Sequence, residues 1–302
     1  MISIVIPTHN RKSTIRRAID SVVNQTYKDI EIIVVSDGSS DGTNELVQEL
    51  ALSEERIKLI AYPDPKGGNY ARNTGAKAAK SDYIAFLDDD DEWFPDKLEK
   101  EIEVFKNDLD IGLVYTGIKV IYENDGYSYI SLPNYEGNLS REILLHNCIT
   151  TTSSVMIKKS VLEKAGYFDE KLPALQDFDL WIRCCQFAKV GCVREALLNY
   201  YINANVGQIT ANTEKNEKAF ERIEDKYKTL YEKLSVPDNK TRLCNRFCGL
   251  AKYALKNGEG KKCRQFAIKA FKQKKSIKPI IIYFSSLIGI KIILKIRKIL
   301  KK

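Results

Sequence analysis

The chain has no CxxC pair and no even, regularly spaced set of cysteines. Its seven, Cys148, Cys184, Cys185, Cys192, Cys244, Cys248 and Cys263, are odd in number and scattered. That argues against the disulfide framework of a small secreted domain and for thiols in a reducing compartment. No secretion leader is expected either: Met1 runs straight into an apolar strand ending in Thr8-His9-Asn10-Arg11, with no basic segment and no long apolar one. A charge-free stretch at residues 279–290 has 12 residues, short of the ~20 a helix needs to cross a bilayer. No strict internal repeat or low-complexity tract is present. The expectation is a cytoplasmic protein.

Among what is there, 302 residues with 44% hydrophobic and 10% aromatic content can bury a sizeable core. The net charge of +8 hides a division, because residues 215–302 hold 25 Lys and Arg against 7 Asp and Glu. That segment is +18 and the remainder −10, which suggests two modules with different partners. The basic segment lacks the interleaved aromatics of a nucleic-acid surface, so no nucleic-acid partner is expected.

The first half alternates apolar runs with helical spacing. Residues 2–6, 30–35, 57–61 and 83–87 read as strands, with helices over 12–25, from about 43 to 52, and over 69–79. Short connections between them imply a parallel sheet with right-handed crossovers, whose ligands sit at the carboxyl ends of the strands. The polar clusters fall there. Further on, 111–122 and 127–132 read as strands around Asn124-Asp125-Gly126, 153–157 as another strand, and 177–187 as a helix. After about residue 205 only Lys-rich amphipathic helices remain, broken at Pro237 and Gly258-Glu259-Gly260.

Four clusters carry chemistry. Asp88-Asp89-Asp90-Asp91 follows a strand directly; adjacent carboxylates repel, and a hard divalent cation with phosphate oxygens would neutralise them. Taken alone, the run reads equally well as a solvated turn capping the helix near Pro95. Asp37, among Ser36, Gly38, Ser39 and Asp41, is either a ligand of a base or ribose or part of a capping turn. Gly67-Gly68-Asn69-Tyr70-Ala71-Arg72-Asn73 puts Arg72 on an early helical turn, where a guanidinium and free amides suit a diphosphate. In Gln176-Asp177-Phe178-Asp179, a carboxylate at a helix start is either a cap or a general base for an attacking hydroxyl.

Residues Ser3 to Arg11, Ile33 to Thr43, Ala71-Arg72-Asn73-Thr74-Gly75 and Phe86 to Asp91 resemble the family 2 glycosyltransferases of the GT-A fold. Gly166-Tyr167-Phe168-Asp169-Glu170 and Gln176 to Arg183 resemble that family's acceptor-side elements. The resemblance implies a Rossmann-like α/β fold with a mostly parallel central sheet and flanking helices, plus a C-terminal helical extension. It divides the chain into 1–205, with a nucleotide-sugar half at 1–110 and an acceptor half at 111–205, and a basic helical region at 206–302. It also implies an inverting transfer from a nucleotide-diphosphate sugar, commonly a UDP-sugar, with Mg²⁺ or Mn²⁺.

Carried over residue by residue, Pro7, Thr8, Asn10, Asp37 and Arg72 contact the nucleotide, Asp88 lies nearer the ribose, Asp90 holds the metal and Asp177 is the base. His9 stands where many members have Tyr, and Gln176 replaces a frequent Glu. The QxxRW element of processive synthases is missing, since neither Trp93 nor Trp181 follows an Arg; one sugar per encounter is expected.

The acceptor implied is a glycan, polyprenyl-linked, in bacterial surface-polysaccharide assembly. Ile292, Ile293, Ile296, Ile299 and Leu300 share one helical face opposite Lys291, Lys295, Lys298 and Lys302. That pattern suits the inner face of an anionic membrane, or packing on the protein's own helices or a homodimer partner. A sugar nucleotidyltransferase would need a Gly-rich loop after the first strand, where Pro7-Thr8-His9-Asn10 has no glycine. A non-catalytic nucleotide-sugar scaffold is the other alternative.

Overall fold

A computed structural model describes residues 1–202, 212–290 and 292–293. Most of the terminal amphipathic segment therefore lies outside the described residues. Four strands, β1 (Ile2–Thr8), β2 (Ile30–Asp37), β3 (Ile57–Tyr62) and β4 (Tyr83–Phe86), run parallel in the order β3-β2-β1-β4. Strands β1 and β2 are buried at every position. A sheet covered on both faces has no polar side, so β-branched residues run without interruption. Ile4, Ile6, Ile32 and Val34 point to one face and pack with Ile15, Ala18, Ile19 and Val22 of α1 (Ile15–Val23). Val5, Ile33 and Val35 point to the other and pack with Ala71 and Ala76 of α3 (Gly68–Ala78). The period of two along each strand sorts these side chains between two layers. Helix α3 lies so close that a side chain at Gly75 would overlap Val5. Helix α2 (Thr43–Ser53) packs at the edge against β3.

Beyond β4 the sheet becomes mixed. Its order continues β4-β8-β6-β9-β5, with β5 (Glu92–Trp93), β6 (Ile111–Tyr122), β8 (Val155–Lys158) and β9 (Lys189–Ile202). Strand β8 is antiparallel to β4 and β6, while β6 and β9 run parallel. Strand β7 (Tyr127–Ser131) forms the expected hairpin with β6, its turn closed by Gly126 at φ 57°. The 14-residue β9 is not among the strands expected from the sequence. Irregular pairing with β6 around Thr116 and Gly117 breaks its alternation, and Arg194 and Glu195 fall in that stretch. Helix α4 (Lys97–Asn107) buries Leu98, Ile102 and Phe105 in the same layer as α1. Short helices α5 (Glu142–Leu145) and α6 (Lys159–Ala165) precede α7 (Gln176–Cys185), which buries Trp181 completely.

The helical region is not a separate body from its first residue. Ala219, Ile223, Tyr227 and Tyr231 of α8 (Thr213–Lys226) and α9 (Lys228–Glu232), with Tyr227 at their junction, join the core that holds α7. The Tyr227 hydroxyl donates to Asp179 at 2.7 Å, and Lys226 pairs with the same carboxylate at 2.8 Å. A second helical core begins with α10 (Val236–Lys256), α11 (Gly260–Gln273) and α12 (Ile277–Ile288). Pro237 sits in the first turn of α10, where its missing N–H costs no helical bond.

Candidate active site

The carboxyl ends of β1, β2 and β4 and the first turns of α3 and α7 surround one cavity of about 690 Å³. Pro7, Thr8, Asp37, Arg72, Asp88, Asp90 and Asp177 all line it. Of the residues given a nucleotide, metal or base role by the resemblance, Asn10 alone is outside the lining. Its Oδ1 accepts from the Ser40 amide at 2.8 Å and its backbone N–H donates to Ser39 Oγ at 3.0 Å. It holds two turns together at φ 54°, a conformation Asn tolerates. His9 does line the cavity and bonds through Nδ1 to the Asp37 carbonyl.

Asp37 is nearly buried, and both its oxygens are occupied: the Lys66 amide donates at 2.6 Å and the Gly67 amide at 2.8 Å. It clamps the loop that leads into α3. Arg72, on that helix, pairs with Asp88 at 2.5 Å, while its Nε is buried without an acceptor. A guanidinium with an unused donor suits a phosphate oxygen.

The acidic loop is held from below. The Asp88 amide donates to Ser153 Oγ at 3.0 Å, and Trp93 Nε1 to the Ser153 carbonyl at 2.8 Å, in the turn that opens β8. Burial, then the charge of Asp90, pushes Asp89 up to about 7, against the pull of Thr8 and of Arg11, 3.5 Å away. Asp91, with no exposed surface, is pushed well above the carboxylate range by burial and by Asp90 and Asp88. A positive charge in the cavity would relieve this crowding. Among the described residues, no three His, Cys, Asp or Glu side chains are grouped to hold a metal by themselves. Mg²⁺ and Mn²⁺ do not require that: hard cations of this kind bind through one or two carboxylates, with phosphate oxygens and water completing the shell. The all-oxygen donor set at the cavity edge fits such an ion.

Across the cavity, Leu175 adopts φ 58° immediately before α7, an arrangement that costs a non-glycine residue roughly 1–2 kcal/mol. It aims Gln176 and Asp177 into the cavity. Asp177 accepts from the Phe178 amide at 2.7 Å. Its carboxylate is enclosed by protein yet open to the cavity, and burial pushes it up to about 6, with Arg72 lowering and Asp88 raising it. The neighbouring Asp179 faces inward and is engaged with Tyr227, Lys226 and Arg183. Tyr200 of β9 forms part of the floor; its phenol is held neutral first by burial, then by Asp91, Asp90, Asp88 and Asp177. Sequence reasoning missed Tyr200 because its strand was missed, and Thr150, Thr151 and Thr152, although that polar run before β8 was visible.

A Rossmann-like sheet with a carboxylate loop after its fourth strand and a helix-borne carboxylate opposite defines a GT-A glycosyltransferase. The chain belongs to glycosyl transferase family 2, whose profile matches residues 3–166. That match ends before α7, so Asp177 lies beyond it. An uncharacterised glycosyltransferase of Haemophilus influenzae is 28% identical over 303 residues, 99% of each chain. The Escherichia coli UDP-Glc:alpha-D-GlcNAc-diphosphoundecaprenol beta-1,3-glucosyltransferase WfgD is 35% identical over 184 residues, 60% of this chain and 68% of that one. Among solved structures, Staphylococcus aureus TarS 1–349 in complex with UDP-GlcNAc shares the fold at a TM-score of 0.59 with 14% identity, over 94% of this chain and 90% of that one. The mannosyltransferase PcManGT of Pyrobaculum calidifontis, in complex with GDP-Man and Mn²⁺, does so at 0.57 with 18% identity, over 95% and 86%.

Proposed function

We propose that the protein transfers one sugar, with inversion, from a nucleoside diphosphate donor of the UDP-sugar type to a hydroxyl of a lipid-linked glycan. The observation that carries this reading is that Asp177 lines one cavity with the Arg72–Asp88 pair and Asp90, near enough for Arg72 and Asp88 to act on its charge. In this reading Asp177 takes the proton of the acceptor hydroxyl as its oxygen bonds to the anomeric carbon. The bond from that carbon to the diphosphate breaks, and the nucleoside diphosphate leaves. One displacement inverts the anomeric centre. Arg72 offers its guanidinium to the diphosphate, Pro7, Thr8, His9 and the loop clamped by Asp37 surround the nucleoside, and Asp88 lies toward the ribose. Asp90 would hold Mg²⁺ or Mn²⁺, which would supply positive charge for the leaving diphosphate.

Transfer of a single sugar is supported by the tryptophans: Trp93 and Trp181 are both buried in the core and offer no stacking platform for a growing chain. The relative WfgD supplies the precedent for UDP-Glc and a diphospholipid-linked acceptor, and we place the protein in surface-polysaccharide assembly on that basis.

A membrane surface is part of the same proposal. No helix among the described residues is long and apolar enough to cross a membrane. Helix α12 nevertheless exposes Ile277, Ile281, Phe284 and Leu287, each more than half exposed, and belongs to the sequence segment 215–302 of net charge +18. Apolar burial and attraction to anionic lipid act together on such a face. The protein would then sit on the cytoplasmic leaflet.

The test of the transfer reading is a donor panel of UDP-, GDP- and dTDP-sugars, scored by nucleotide release and by the anomeric configuration of the product. Release from one donor with an inverted product is expected. A retained configuration would overturn the single displacement.

A further inference from the structure

The far wall of the cavity comes from the helical region. Tyr253 and Lys256, three residues apart near the end of α10 and therefore on one helix face, line the cavity with Asp177. Tertiary packing brings them there: Asn245 on the same helix donates to the Leu145 carbonyl at 3.2 Å. The Tyr253 phenol is pushed up to about 12 by burial and then by the charge of Asp177, which sets its ring near that carboxylate.

Lys256 differs from the other cations of the cavity. Arg72 is paired with Asp88 and Arg11 with Asp89, whereas Lys256 forms no ion pair among the described residues. Its side chain is exposed and lines the cavity; partial desolvation and then Lys252 lower its pKa, and no carboxylate offsets them. Lys256 and Tyr253 reach the cavity from α10, whereas the residues assigned to the donor come from β1, β2, α3 and the loop after β4.

We propose that Lys256 binds a phosphate or diphosphate group carried by the acceptor, with Tyr253 as the face against which the acceptor sugar lies. The inference rests on the glycosyl-transfer reading of the cavity and narrows its acceptor to sugars linked to phosphate. Tyr253 lies close enough to Asp177 to feel its charge, so a sugar against its ring would have a hydroxyl near that carboxylate and its phosphate toward Lys256 on the same helix face. An ammonium is a compact charge with three rotatable donors, and phosphate accepts it from any side.

The test measures binding of decyl diphosphate to the full chain saturated with UDP and Mg²⁺, so that the donor site is filled. Decyl glucoside and decyl glucuronide are the neutral and carboxylate comparisons. Lys256→Gln should weaken decyl diphosphate about tenfold, as expected for one charge-assisted contact, and Lys256→Arg should keep most of the affinity. Lys240→Gln makes the same charge change on an exposed site of α10 and should leave it unmoved. Equal loss in Lys240→Gln, tighter binding of the glucuronide, or an equal loss of UDP affinity in Lys256→Gln would overturn the assignment. Failure of the wild type to bind UDP at all would instead count against the transferase reading on which it rests.

Discussion

Asp37 and Asp177 border the same cavity, and their surroundings give them different work. Both oxygens of Asp37 are taken by the amides of Lys66 and Gly67, which fixes a loop. Asp177 accepts one amide bond and is enclosed by protein, so its proton affinity rises into the range where a base can both accept and release a proton. Asp177→Asn should lower transfer by about 10²–10⁴ and leave UDP binding in place, checked by kinetics beside calorimetry; a loss under tenfold would move the role elsewhere. The base works only when deprotonated. For a group pushed up to about 6, kcat/KM should climb as pH rises through that value and level off above it. A profile flat from pH ~5 to ~8 would contradict the assignment. Asp177 and Arg72 were legible in the sequence because their motifs are local. Tyr200 and Lys256 were not, because each reaches the cavity only through packing of an element far along the chain.

At the scale of elements, the parallel strands could be read directly, since burial on both faces turns β1 and β2 into unbroken apolar runs. Strand β9 could not, because its irregular pairing with β6 spoils the alternation. Helix α4 shows a different limit. Its Lys97 and Glu101 look like an ordinary solvated pair four residues apart, yet both are fully buried and bonded at 2.6 Å, with the Lys97 ammonium 4.3 Å from the Trp93 ring centroid. Removing one partner leaves an uncompensated charge in the core. Lys97→Met should cost about 3–5 kcal/mol in urea unfolding, and adding Glu101→Leu should restore most of it. A single variant as stable as wild type would show that the pair is not sealed from water.

For the whole molecule, the charge division between residues 1–214 and 215–302 was plain in the sequence. The merging of α8 and α9 with the α7 core was not, since it depends on Tyr227 reaching Asp179. The helical region thus both completes the cavity, through α10, and presents the apolar face of α12. Changing Ile281, Phe284 and Leu287 to Ser spares the buried Ile282 of that helix. Each lost side chain removes roughly 1.5–3 kcal/mol of possible apolar burial, so flotation with anionic liposomes should fall at least tenfold while the melting temperature holds. If the wild type does not float at low salt and instead elutes as a dimer, that face packs on a second copy.

Metal-supported transfer from a nucleoside diphosphate sugar is decided by nucleotide release with and without chelator. Wild-type protein with donor, acceptor and Mn²⁺ should release nucleoside diphosphate, excess EDTA should stop it, and Asp90→Asn should stay inactive at any Mn²⁺ concentration. Undiminished release in EDTA would contradict the metal role of the acidic loop, and no release from any donor in the presence of Mn²⁺ would contradict the reading of the site itself.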